Sequence, residues 1–151
     1  MKTTRNERGF SLLEVLVAMV ILSIGLLGVA GMQTTAITGN TFAQSGTVAI
    51  QLAEEMVNRI RTNAGNDPDL YDDIDTSGDC TGLSAPADDD CTDWKSAIDN
   101  SKLANGSGTV NVEDNKPIDN TATVKVIVQW GGSSGDARSV TFTTILETWG
   151  T

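Results

Sequence analysis

Apolar residues fill 17 of the 23 positions from Phe10 to Met32, interrupted by Ser11, Glu14, Ser23, Gly25, Gly28 and Gly31. At a rise of ~1.5 Å per residue, such a helix is roughly 35 Å long. That is enough to cross the ~30 Å hydrocarbon core of a bilayer. Beyond Met32 the grease thins but the periodicity continues. Phe42, Ala49, Leu52, Ala53, Met56 and Ile60 recur at three- and four-residue steps, with Gln44, Glu54, Asn58 and Arg61 on the opposite face. That is the pattern of an amphipathic helix. No Pro interrupts Gln33 to Thr62, and Asn63-Ala64-Gly65-Asn66 followed by Asp67-Pro68 supplies stop signals. The pattern predicts one helix from Phe10 to about Asn63.

The C-terminal third changes to a period of two. Thr109 to Glu113 alternates, and Ala122 to Trp130 sets Val124, Val126, Val128 and Trp130 on one side. Ser139 to Trp149 does the same with Val140, Phe142, Thr144 and Leu146, across the turn cluster Gly131 to Asp136. Two alternating runs around a Gly-rich turn predict a hairpin, and the earlier run makes a sheet of three or four antiparallel strands. Its apolar face needs cover, and the Leu52–Ile60 stripe is the available partner. The expected fold class is therefore α+β, a long N-terminal helix packed on a small antiparallel sheet.

Between them lies Asp67 to Asp93, with ten Asp and no Lys or Arg in 27 residues. Turn formers without apolar periodicity predict a long loop. A short helix is expected to begin near Asp90 to Thr92 and run through Trp94, Ala97 and Ile98. Asp73, Asp75, Ser77 and Asp79 begin like a calcium loop, with Gly78 at the sixth place, but the twelfth place is Ser84 instead of Glu. A solvated acidic loop is the preferred reading, and no metal is assigned.

Charge and composition narrow the function. A net charge of −10 argues against nucleic acid as a partner. The chain has no His, the usual general base near neutral pH and the commonest metal ligand. Two Cys cannot build a four-thiolate zinc site. No catalytic constellation and no cofactor motif emerge, so an enzyme is not expected.

Glu14 decides how the apolar rod is read. An ionisable group costs ~2.5–3.5 kcal/mol at the centre of a span, less near its boundary. A plain signal anchor gives no reason for it. A secretory signal has a shorter apolar stretch, although Gly28-Val29-Ala30 passes as a weak cut site. Arg8-Gly9-Phe10-Ser11-Leu12-Leu13-Glu14, behind a leader with Lys2 and Arg5, resembles the processing site of type IV prepilins and pseudopilins. That resemblance implies cleavage by prepilin peptidase between Gly9 and Phe10 and N-methylation of Phe10. It also implies that Glu14 pairs with a subunit amine during assembly. Gly25, Gly28 and Gly31 become a candidate joint that loosens on assembly. Gln51 to Arg61, with the N-terminal block, looks like the PilV family of minor pilins, the type IV pilus modification proteins.

The resemblance implies a leader at 1-9 and a place for 10-32 in the membrane or filament core; the residue patterns themselves give a long helix at 10-63, an acidic disulfide loop region at 64-108 and a sheet at 109-151. It implies an inner-membrane, single-pass subunit with a periplasmic C-terminal domain, later at the cell surface in a pilus. In that oxidising compartment Cys80 and Cys91 are expected to pair. The implied partners are other minor pilins, the major pilin, a tip adhesin and prepilin peptidase. The implied role is to prime assembly at the filament tip and present the adhesin. A minor pseudopilin of type II secretion shares the processing site. A membrane-anchored calcium-binding domain that does not polymerise is the reading of another class.

Overall fold

The computed structural model describes residues 10–65, 67–131 and 137–148. The chain divides into two compact units, Met1–Phe42 and Ala43–Thr151. One helix, α1 (Leu12–Asn63), begins in the first unit and ends in the second. Within the first unit every described residue is exposed. α1 is the one described helix long and apolar enough to cross a membrane, with a mean hydropathy of 2.6 in its most apolar window. The Thr-rich stretch stays helical because Thr34, Thr35, Thr38, Thr41 and Thr47 each return their hydroxyl to the carbonyl four residues back. Gly25, Gly28 and Gly31 lie inside the unbroken helix, with open space where a Cβ would sit.

The second unit contains a 3₁₀ turn (Pro68–Tyr71), β1 (Ile74–Asp75), α2 (Ala87–Asn100), β2 (Ser107–Asp114), β3 (Thr121–Trp130) and β4 (Arg138–Glu147). The four strands form one antiparallel sheet in the order β1-β2-β3-β4. Ala49, Leu52, Ala53, Met56, Val57 and Ile60 of α1 are buried with Val110, Val124, Val126 and Val128 of the sheet in one core. Each fully buried Val contributes ~1.5–3 kcal/mol relative to exposure. Phe142, Leu146 and Trp130 are half-buried at its margin. The α+β, pilin-like architecture matches the sequence expectation.

Two expectations need correction. Ala87–Asp93 is not loop but the first half of α2, which starts several residues before Asp90. Asp88, Asp89 and Asp90 occupy its first turn, where carboxylates favour the helix dipole. β2 begins at Ser107, inside the stretch assigned to the loop region, and β4 ends at Glu147. Trp149 and most of the expected hairpin turn, 132–136, lie outside the described residues.

Trp94 of α2 is completely buried, and its indole N–H donates to the Leu52 carbonyl of α1 at 2.9 Å. The ring lies on Gly108 of β2, where an added Cβ would stand 2.3 Å from Trp94 Cη2. Only a residue without a side chain permits that approach. The outer edge of β2 is covered beyond β1 by side chains. Thr76 Oγ1 accepts from Gly108 N–H and Asp72 Oδ1 accepts from Val112 N–H, both at 2.7 Å.

Candidate functional site

The N-terminal turn of α1 is built on Ser11. Its Oγ accepts from the Glu14 N–H at 3.2 Å, and its carbonyl accepts from the same N–H at 3.0 Å. Ser11 therefore caps the helix, with Glu14 at its third position. Ser followed three residues later by Glu is the capping-box signature. That signal was present in Ser11-Leu12-Leu13-Glu14 and goes beyond what the processing site alone explains. Phe10, Glu14, Ala18 and Leu22 follow at four-residue steps and share one side of the helix. Phe10 is 83% exposed and Glu14 is exposed. Gly9 and the rest of 1–9 lie outside the described residues, so the cleavage position is placed by sequence alone.

A carboxylate in the first turn gains ~0.3–1 kcal/mol from the helix dipole at an exposed site. That is smaller than the ~2.5–3.5 kcal/mol cost of an ionisable group in mid-membrane. The cap and dipole therefore do not by themselves make Glu14 comfortable in an apolar setting. A cationic partner at the helix start would.

The head carries the other predicted residues. Cys80 and Cys91 are joined, with Cα atoms 5.8 Å apart, tying the acidic segment to α2. Asp75 Oδ1 accepts from the Ser77 N–H at 2.9 Å and its hydroxyl at 2.7 Å. These bonds, with Lys95 nearby, hold the Asp75 carboxyl below the usual range. Asp73 and Asp79 are exposed. Lys95 places its ammonium on the Thr76 and Gly78 carbonyls. Among the described residues no three His, Cys, Asp or Glu side chains converge on a metal position.

Asp90 is the hub that sequence reasoning missed. It is 6% exposed. Oδ2 accepts from Tyr71 Oη at 2.5 Å and Asn63 Nδ2 at 2.7 Å, and Oδ1 from Arg59 Nη1 at 3.1 Å. Burial opposes its charge, but the bonds from Asn63, Tyr71 and Arg59 outweigh it and hold the carboxyl below the ordinary range. Arg59 also pairs with Glu55 at 2.9 Å and Asp93 at 3.2 Å. Its charge is strengthened, chiefly by the Glu55 bond. Burial, then the bond to Asp90, pushes the Tyr71 hydroxyl upward. Glu55 and Arg59 were visible as a four-residue pair, but Asp90 lies 31 residues from Arg59 and nothing local announces it. These groups hold α1, α2 and the 3₁₀ turn together.

Residues 4–30 match the prokaryotic N-terminal methylation motif. No curated protein and no solved structure matches the chain. The motif is that of type IV pilins and pseudopilins, and it implies processing by prepilin peptidase. Motif and apolar helix together are consistent with membrane anchoring.

Proposed function

We propose that this chain is a minor pilin of a type IV pilus, a structural subunit and not an enzyme. Prepilin peptidase cleaves it between Gly9 and Phe10 on the cytoplasmic side and N-methylates Phe10. The basic leader, with Lys2, Arg5 and Arg8 against Glu7, favours that side by the positive-inside rule. The mature subunit crosses the inner membrane once with its head in the periplasm, then enters the filament. Glu14 meets the amine of a neighbouring subunit, the cationic partner its position calls for. The subunit joins other minor pilins at the tip, primes assembly and presents an adhesin.

The observation that carries this reading is the continuity of the methylation motif with a 52-residue helix that ends in a small disulfide-linked head. The resemblance of Gln51–Arg61 to the PilV family favours the pilus over a secretion filament. Mass spectrometry of the mature protein tests the processing. We expect loss of Met1–Gly9 and one added methyl group on Phe10; an intact leader sinks the proposal. Crosslinking in membranes then tests the role. Other minor pilins and an adhesin are expected, whereas recovery of secretion pseudopilins overturns the pilus assignment.

A further inference from the structure

The sheet has two unlike edges. At one, β1 is two residues long, lies in the acidic segment and is supplemented by Thr76 and Asp72. At the other, β4 runs ten residues and, among the described residues, has β3 on one side only. Short strands, charges, Pro and bulges are the usual protection of an exposed edge. Between the charged ends Arg138 and Glu147, residues 139–146 have none of these: they are uncharged, without Pro or Gly, and paired one-to-one with β3.

The phase of the ladder tells which backbone groups are free. The Thr148 N–H donates to the Asn120 carbonyl at 2.8 Å, one step beyond the Thr121–Glu147 pair. Bonded pairs recur at every second residue. Leu146, Thr144, Phe142 and Val140 therefore bond to β3, and Ser139, Thr141, Thr143 and Ile145 turn their N–H and C=O groups outward. Their side chains are exposed.

Both faces beside this edge have a definite chemistry. On the outer face Lys125 of β3 lies opposite Thr143. On the helix side Arg61 donates to Thr144 Oγ1 at 2.7 Å. A pocket of about 260 Å³ opens there, lined by Glu54, Val57, Asn58, Arg61 and Phe142. The molecule's net charge is elsewhere: residues 67–100 hold eleven Asp and one Lys, which equals the whole −10. That segment supplies the far edge strand, β1, three strand spacings or roughly 14 Å from β4.

We propose that the open edge of β4 receives an extended segment of a partner protein, which adds a fifth strand. Its acidic side chains alternate along the Lys125 face and its apolar ones along the pocket face. Main-chain bonds to Ser139, Thr141, Thr143 and Ile145 supply affinity, and the alternate side chains supply selection.

A synthetic octapeptide alternating Val and Glu tests this against its Val–Lys counterpart. The full chain in detergent micelles is titrated by fluorescence anisotropy and amide NMR. The Val–Glu peptide is expected to bind and to shift the amides of Ser139, Thr141, Thr143 and Ile145. Thr143→Pro removes an outward N–H and no β3 bond, a substitution that edge strands tolerate. It should weaken binding at least tenfold with the melting temperature nearly kept. Lys125→Glu, which leaves the edge backbone intact, should weaken the acidic peptide tenfold and favour the basic one. Equal binding of both peptides, no shifts on β4, or unaltered affinity in Lys125→Glu overturns the proposal. Self-association abolished by Thr143→Pro overturns it too, since the edge then belongs to a second copy.

Discussion

Replacing Asp90 by Ala removes the acceptor shared by Tyr71, Asn63 and Arg59. The Tyr71 hydroxyl, fully buried, loses its bond, and an unmet buried group costs ~1–3 kcal/mol. Breaking a buried ion pair costs ~3–5 kcal/mol. Arg59 limits that second loss, because its side chain is 27% exposed and keeps Glu55 and Asp93. Together these give a destabilisation of ~3 kcal/mol. For a head of this size it lowers the melting temperature by roughly 10–20 °C. Tryptophan fluorescence of the full chain in detergent at pH 7 reads it. A shift under ~3 °C would refute the reasoning. The pH dependence carries a second check. The folded Asp90 carboxyl sits below its unfolded value of ~3.9. Its stabilisation is therefore complete above that value and lost as pH falls through the folded one. The gap between wild type and Asp90→Ala should narrow in acid. Asp90→Asn, which keeps the shape and one acceptor, should fall between them.

Three further outcomes follow from the head. Gly108→Ala drives a methyl into the Trp94 ring and costs ~1–3 kcal/mol by overpacking; unchanged near-UV dichroism and melting would contradict the close approach. Cys80→Ser with Cys91→Ser opens a 12-residue loop and costs ~3 kcal/mol, which calorimetry in the absence of reductant measures. Asp69, pushed up to about 6 by desolvation and then by Asp114, favours its protonated form when folded. Its stabilisation is complete below the ordinary ~3.9 and lost as pH rises through 6. Asp69→Asn should therefore raise the melting temperature at pH 7.5 and not at pH 4, modestly, because Asp69 is exposed and screened.

The elements read correctly from sequence are those whose pattern is local and long. The Phe10–Met32 rod declares a helix without reference to any partner. Val124, Val126 and Val128 declare a strand buried on one face, and the structure buries all three. The start of α2 was obscured because Asp88-Asp89-Asp90 reads as solvated loop by composition. What makes it a helix is its place in a first turn and the reach of Arg59 across 31 residues to Asp90. Trp94 was legible as a helix residue, but its seat depends on Gly108, fourteen residues on and in a strand. At the site, Glu14 is legible from spacing and the Ser11 cap from its Ser-x-x-Glu signature, while the backbone shows that the N–H bonded to the Ser11 hydroxyl is that of Glu14.

Lys95 gives the acidic segment a property of its own. A loop ordered by a dissolved cation is only as well ordered as the surrounding medium allows, and it loosens when the ion is diluted or chelated. Here the cation that grips the Thr76 and Gly78 carbonyls is covalently part of α2. Its local concentration is set by the length of the tether and not by the environment. The turn around Ser77 should therefore hold the same conformation whether the surroundings are rich or poor in divalent ions.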